Sequence, residues 1–406
     1  MNILVLNSGG SSLKYKLIEM SEKKVLAKGI CEKIGEPESV IRQTTYLKDK
    51  YFETIHKKID HKEAFKYIEN ALTDSEHGII KSFDEVSAVG HRVVHGGEYF
   101  KEPAIIDDDV INKIDMLSEL APLHNPAHLS GILACRELLD KKIPQVAVFD
   151  TSFYSDIPEK AYIFPVPYKY YKKYHVRKYG FHGTSHRYVS NRVYSLSKTD
   201  KNNSKIISCH LGNGSSITAI KNGKVVDTSM GLTPLGGIIM GTRSGSIDPS
   251  VVLHIAEKEK MGVNEMNKML NKESGLLGIS GISGDDREIM KAENNGDKRA
   301  SLAHKIMVYQ ISQYIGAYNV ALQGFDTLIF TGGIGENQPA HRKNICKNLE
   351  FLGVLIDDDL NEKAVSGEEI KISKNDSKID VWVIPTNEEM EIAKETADLL
   401  GFGDIK

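Results

Sequence analysis

Two stretches of this chain run an apolar strand straight into a glycine-serine turn, at matching places in its first and second halves. The first reads Ile3-Leu4-Val5-Leu6-Asn7-Ser8-Gly9-Gly10-Ser11-Ser12-Leu13-Lys14. The second reads Ile206-Ile207-Ser208-Cys209-His210-Leu211-Gly212-Asn213-Gly214-Ser215-Ser216-Ile217-Thr218. Aligned on Gly10-Ser11-Ser12 and Gly214-Ser215-Ser216, they predict a chain built from two equivalent halves. Glycine turns let backbone N–H groups converge on an anion, and neighbouring hydroxyls add donors. Two such turns facing one another across a cleft would grip the phosphate chain of a nucleotide from both sides.

The rest of the pattern alternates strands and helices. Apolar runs at 3–6, 15–19, 88–91, 145–149, 205–209, 216–220, 327–330 and 381–384 read as strands, several continuous enough to be buried on both faces. Helical periodicity covers 62–72, 128–139, 183–196, 248–259, 298–322 and 387–400, the last with Thr386 or Asn387 as N-cap. Such α/β sheets bind ligands at the carboxyl ends of their strands, where Asn7, Asp150, His210 and Gly332 fall. At 406 residues two domains are expected. Their boundary follows Phe149-Asp150-Thr151, where a strand gives way to a Pro- and Tyr-rich stretch. A short glycine-rich run stands at 275–284.

Composition narrows the partners. A net charge of -3 gives no electrostatic reason to expect nucleic acid or an anionic membrane. Cys31, Cys135, Cys209 and Cys346 are scattered without a CxxC pair, which suits a reducing compartment and argues against a structural zinc site. No apolar run approaches the roughly 20 residues that span a bilayer, and no export signal is visible, so a cytoplasmic location is expected.

Chemistry-bearing residues cluster at the glycine turns. The chain lacks GxxxxGK[ST], so phosphoryl chemistry here needs another scaffold. A third glycine loop, Thr331-Gly332-Gly333-Ile334-Gly335-Glu336-Asn337, offers bare backbone as a shelf for adenosine. Arg92 and Arg243 each sit among glycines and are aimed at anions, where they would clamp a carboxylate and a transferring phosphoryl group. His91 and His95 have HxxxH spacing, but the run is strand and loop rather than helix, so zinc is not expected there. His182 opens a helix and would donate to a phosphoryl oxygen; His186 reads as a core hydrogen bond. Asp150 and Glu388 read as a hard-cation site, with Glu389 solvated.

With these residues assembled, the chain resembles the acetate kinase family from end to end, in the segments 7–14, 90–97, 121–126, 179–186, 210–218, 233–243, 331–337 and 385–389. The resemblance implies an α/β, duplicated two-domain fold of the acetate and sugar kinase, Hsp70 and actin class (ribonuclease H-like), with an interdomain cleft. The first domain would be 1–152 plus 389–406, and the second, nucleotide-binding and dimer-forming, 153–388. It implies reversible phosphoryl transfer from ATP to acetate, giving acetyl phosphate and ADP, with Mg²⁺ or substituting Mn²⁺, in a homodimer.

Carried over onto matching positions, Asn7 and Glu388 would bind the metal and Lys14 the phosphates. Arg92 would hold the acetate carboxylate beside a methyl pocket of Val94, Leu123, Phe181 and Pro234. Asp150, His182 and Arg243 would be catalytic. The nucleotide site would comprise His210, Leu211, Gly212, Asn213, Gly214, Asp285, Asp286, Arg287, Gly333, Ile334, Gly335, Glu336 and Asn337. The chain departs from the family pattern at Gly10, usually serine, and at Asp286, usually apolar or aromatic. Acetate, with a pKa of roughly 4 to 5, is ionised near neutrality. No proton need leave the nucleophile, and Asp150 is better understood as organising the metal or its waters. The rival readings are a propionate or butyrate kinase of the same family and an actin- or chaperone-like ATP-driven switch.

Overall fold

The structure, a computed structural model, describes residues 1–46, 48–139 and 141–402. Residues 403–406, the end of the expected first domain, lie outside the described residues. The chain forms two compact units, one of Met1–Phe153 with the chain from Asn387 onward, the other Tyr154–Thr386.

The first unit holds an eight-stranded sheet in the order β5-β4-β3-β2-β1-β6-β8-β7. Its strands are β1 (Asn2–Ser8), β2 (Ser12–Glu19), β3 (Lys24–Glu32), β4 (Glu38–Thr45), β5 (Lys50–Lys57), β6 (Val86–Val93), β7 (Ala104–Ile105) and β8 (Gln145–Phe149). Strand β1 pairs antiparallel with β2 and parallel with β6, which puts it mid-sheet with both faces covered. Side chains alternate along it. Ile3 and Val5 pack against Val146, Val148, Ile392 and Ala393, the last two from the helix Glu388–Leu399. Leu4 and Leu6 face Tyr15, Phe65, Ile68 and Cys135 on the other side. Each such side chain contributes about 1.5–3 kcal/mol by leaving water, which is why the strand reads as an unbroken apolar run.

The helix Glu388–Leu399 starts on Asn387, whose side chain accepts from the Met390 N–H. It lies so close to β6 that a Cβ on Gly90 would sit 2.6 Å from Thr396 Oγ1. Strands β3, β4 and β5 continue the sheet as a meander that the apolar pattern does not announce. The inward face of β4 carries Ser39, Gln43 and Thr45, all buried. Gln43 accepts from Tyr15 Oη at 2.7 Å and donates to Ala71 O at 2.7 Å, so this polar face is hydrogen-bonded rather than apolar.

The second unit repeats the arrangement in a six-stranded sheet, β11-β10-β9-β12-β14-β13. These are β9 (Lys205–His210), β10 (Ser216–Lys221), β11 (Lys224–Thr228), β12 (Thr327–Thr331), β13 (Ile370–Lys371) and β14 (Asp380–Val383). The succession β11-β10-β9-β12-β14-β13 has the same directions as β3-β2-β1-β6-β8-β7: two antiparallel pairings, two parallel, one antiparallel. The repeat read from two glycine-serine turns is therefore a repeat of the sheet. The long helix Lys298–Leu322 buries Ala303, Met307, Ile311 and Ile315 in the core of this unit. The glycine-rich run at 275–284 contains a short helix, Gly275–Ser280, whose Leu276 is buried. All four cysteines are free and buried, and among the described residues no helix is long and apolar enough to cross a membrane.

Two buried imidazoles in the first unit set its acid limit. Burial pushes His91 down from 6.5 to about 4, with a hydrogen bond to Gln145 opposing. Burial also pushes His128 down to about 3, helped by Arg92. Both are neutral when folded, so the unfolded chain takes up more protons below pH 6.5 and stability is lost as pH falls from there toward 4. Urea midpoints should hold steady above pH 7 and drop steeply between pH 6.5 and 4, with a shallower drop in His91→Gln. A flat profile across that window would contradict neutral burial.

Candidate active site

The carboxyl ends of β9 and β12 meet in the second unit through backbone alone. Leu211 N donates to Thr331 O, and Leu211 O accepts from the N–H groups of Ile334 and Gly335. This contact works because Gly332 lies at φ +77 and a Cβ there would sit 2.7 Å from Leu211 O. Gly212 and Ser215 close the neighbouring turn, Gly212 N donating to Ser215 Oγ at 3.1 Å. Beside these loops opens a cavity of about 710 Å³ lined by Gly212, Asn213, Thr242, Gly284, Asp285, Asp286, Arg287, Gly333, Ile334, Asn337 and Gln338. Eight of the fourteen residues expected to bind nucleotide line it.

His182 and Arg243 converge on the Gly214 turn. An atom at the Cβ position of Gly214 would lie 3.4 Å from Arg243 Nη1 and 3.5 Å from His182 Nε2. Burial pulls the Arg243 pKa below its usual value. Its acceptors are Pro234 O at 3.2 Å and Met240 Sδ, and no carboxylate among the described residues pairs with it. His182 is a non-glycine residue in the left-handed region (φ 60) at the N-cap of the helix Gly183–Ser197, a conformation that costs about 1–2 kcal/mol. Its Nδ1 bonds Ser216 Oγ at 2.9 Å; that oxygen bonds His186 Nε2, and His186 Nδ1 bonds Ser208 Oγ, each at 2.8 Å. Burial, reinforced by His210, holds His186 well below the usual imidazole value. One direction of this chain of neutral groups leaves the proton of His182 on Nε2, the atom aimed at the Gly214 turn; an anion there selects that direction.

The first unit carries a second charged group. Arg92 Nη2 and Nε reach the two oxygens of Asp150 at 2.6 and 3.2 Å. Burial lowers the Arg92 pKa, but Asp150, Glu388 and Glu389 outweigh it and hold the group above its usual value. Asp150 therefore fixes the plane of Arg92, a contact that the sequence reading, which considered a metal-organising role, did not anticipate. Burial pushes Glu388 up to about 7; Arg92 pulls it down while Asp150 and Glu389 push it further up. Glu389 is not solvated as expected: it is half-buried and paired with Lys16 at 2.9 Å. Asn7 and Lys14 face one another across the β1–β2 hairpin, with Lys14 exposed.

Other expected residues fall differently. Val94 and Phe181 are buried, Pro234 is half-buried and Leu123 is 66% exposed. Asp286 lines the cavity, yet its carboxylate is bound to His341 at 2.9 Å. Glu336 turns its carboxylate to the N–H groups of Gly332 and Thr386, bracing the loop rather than facing a ligand. Leu211 is buried and acts through its backbone. His210 stacks on His182 at 4.2 Å and bonds Ser185 through Nδ1. Sequence reading missed Arg342, fully buried beneath the third loop and donating to the carbonyls of Gly335 and Glu336. A charged residue inside a helix just past the third loop reads as solvated until the fold turns it under the loop. Thr242, Gly284 and Gln338 also line the cavity unforeseen, although each adjoins a residue or glycine loop already singled out.

Comparison with known proteins agrees with this geometry. A profile of the acetokinase family matches residues 2–394. An acetate kinase of Acetivibrio thermocellus is 52% identical over 407 residues, covering 98% of this chain and 99% of that protein. A crystal structure of the Porphyromonas gingivalis acetate kinase superposes with a TM-score of 0.94 at 46% identity, covering 98% of this chain and 99% of that one. A propionate kinase from Francisella tularensis superposes at 0.90 with 41% identity, covering 97% of this chain and 98% of that one.

Gly332→Ala combines a disfavoured φ with a clash on Leu211 O, so the third loop must move off the end of β9. Calorimetry should show affinity for a nonhydrolysable ATP analogue falling at least ~10-fold, on the scale of the left-handed penalty. Gly316→Ala, where a Cβ meets nothing within 4 Å, should bind as wild type. Unchanged affinity in Gly332→Ala would show that the loop does not depend on this contact.

Proposed function

The chain belongs to the acetokinase family, and from that premise we propose that it catalyses reversible phosphoryl transfer from ATP to acetate, giving acetyl phosphate and ADP. The observation that carries the reading is the convergence of His182 Nε2 and Arg243 Nη1 on the Gly214 turn, beside a nucleotide-sized cavity. A carboxylate oxygen of acetate attacks the γ-phosphorus, the bond to the β,γ-bridging oxygen breaks, and ADP leaves with that electron pair. Charge on the equatorial phosphoryl oxygens is met by Arg243, whose guanidinium no acid among the described residues neutralises, and by the Nε2–H of His182. Arg92 offers acetate its remaining edge, since Asp150 occupies only Nε and Nη2. Asp150 thus fixes the guanidinium plane, and no proton transfer is asked of it.

Buried oxygen donors suit a hard divalent cation, and Glu388, pushed up to about 7 chiefly by burial, is a carboxylate short of positive charge. We assign Asn7 and Glu388 to Mg²⁺, with Mn²⁺ as its substitute; the ion supplies neutralisation of the ATP phosphates. Lys14 serves the same phosphates, and the cavity in the second unit takes the nucleoside. A cytoplasmic homodimer fits the free, buried cysteines and the family. Propionate would be a second, poorer substrate, because one methylene in an apolar pocket discriminates only weakly. The discrimination should be roughly 10–200-fold in kcat/KM.

Hydroxylamine trapping should yield acetyl hydroxamate from ATP and acetate only when Mg²⁺ or Mn²⁺ is added; no hydroxamate with acetate, propionate or butyrate would refute the activity. Arg243→Ala should lower kcat by roughly 10³-fold or more, the scale of a lost arginine finger. Arg92→Ala should raise the KM for acetate as well, and Asp150→Ala should share that KM effect because it acts through Arg92. Near wild-type kinetics in these variants would make the arginines structural.

A further inference from the structure

Away from the Gly214 turn, three helices of the second unit bring a carboxylate and two imidazoles together. Asp286 stands at the start of the helix Asp286–Asn294, His304 on Lys298–Leu322, and His341 on Pro339–Lys347. One ligand atom from each lies within 4.8 Å of the others. Asp286 Oδ1 is 2.9 Å from His341 Nε2 and 3.2 Å from His304 Nε2. Two ligands each about 2.1 Å from one tetrahedral ion stand about 3.4 Å apart. The two spacings fall a few tenths of an ångström short of that, so small side-chain shifts would admit a shared cation.

Two further observations point to a missing ligand. Asp286 and His304 are 5% and 4% exposed, yet Asp286 Oδ2 and His304 Nε2 have no hydrogen-bond partner. In addition, Glu293 Oε2 holds His304 Nδ1 at 2.5 Å. With the Nδ1 proton drawn toward Glu293, a neutral His304 turns its Nε2 lone pair to the Asp286 carboxylate, and either a cation or a second proton must lie between them. Carboxylate–histidine pairs of this kind orient imidazoles toward metals. A cavity of about 680 Å³, lined in part by Glu293, His304 and His341, gives an entry path and room for a water as a further ligand.

We propose that Asp286, His304 and His341 form a zinc site that pins these three helices together behind the Asp285–Arg287 rim of the nucleotide cavity. Two imidazoles and one carboxylate favour a first-row transition ion over Mg²⁺ or Ca²⁺, which prefer all-oxygen shells. The scattered cysteines argue against a structural zinc site; this cluster departs from that expectation and uses no thiol. Asp286 is also the position at which the chain departs from the apolar or aromatic residue usual in the family pattern it resembles, so the site would be a property of this chain.

The test uses the full-length protein, stripped with chelator and dialysed against zinc chloride. One ion per chain should bind with a raised melting temperature, and Co²⁺ should give visible d–d bands without thiolate charge transfer. Asp286→Asn and His341→Gln should each weaken zinc binding at least ~100-fold, and Glu293→Gln by roughly 10–100-fold. His254→Gln, an exposed histidine elsewhere, should leave it intact. Should a variant fail to fold, the wild type alone decides: no stoichiometric zinc, or Co²⁺ without d–d bands, overturns the site. Zinc retained by folded Asp286→Asn and His341→Gln overturns it as well, and leaves the cluster a hydrogen-bonded ion group.

Discussion

The nucleotide-side unit depends on one contact that contains no side chain, the backbone of Leu211 against Gly332. Parallel pairing of β9 with β12 brings the two strand ends level. Leu211 then continues the pairing past its last register position by accepting two N–H groups from the third loop. A Cβ at Gly332 would occupy that space. Gly212 and Gly333 line one cavity because this seam holds their loops side by side. Glu336 secures the same loop by taking the N–H groups of Gly332 and Thr386. The site is thus built first from backbone geometry, and side-chain chemistry is added to it.

That order explains what the sequence made legible. Glycine turns and buried strands leave strong marks, because a turn needs glycine and a doubly covered strand needs an unbroken apolar run; β1, β9 and β12 were readable for this reason. The strands β3 to β5 were not. The inward face of β4 holds Gln43 and Thr45, whose burial is made tolerable by Tyr15, Ala71 and the His77 carbonyl, partners distant in sequence, and Ser39, which donates to the Lys33 carbonyl. Asp286 and Glu336 were legible as site residues but not in their roles, since both carboxylates turn to partners supplied by the tertiary fold. Leu123 matches a pattern whose burial it does not share here.

Charge is handled in contrasting ways around the three arginines. Arg92 has a bidentate carboxylate partner, which fixes its plane and leaves one edge for an anion. Arg342 is fully buried and meets only neutral acceptors, five contacts to Gly335, Glu336, Asn361 and Ala364, and burial lowers its pKa to about 10. Arg243 has two weak neutral acceptors. An unpaired buried cation is costly unless charge arrives to compensate it. Arg342 is held by its five contacts; Arg243 is not, so it is the cation that gains most from an incoming phosphoryl group.

The duplicated sheet sharpens this contrast. The succession β3-β2-β1-β6-β8-β7 and its counterpart β11-β10-β9-β12-β14-β13 share one topology, and each opens on a glycine-serine turn. Yet in the first copy Asp150, at the end of β8, pairs with Arg92, whereas among the described residues of the second no acid stands against Arg243, and the His182–Ser216–His186–Ser208 chain lies nearby. A cation paired with a carboxylate is compensated before any ligand arrives; one with only neutral acceptors gains more when negative charge comes close. One architecture used twice therefore carries two differently compensated cations, a division that rests on one carboxylate beside Arg92.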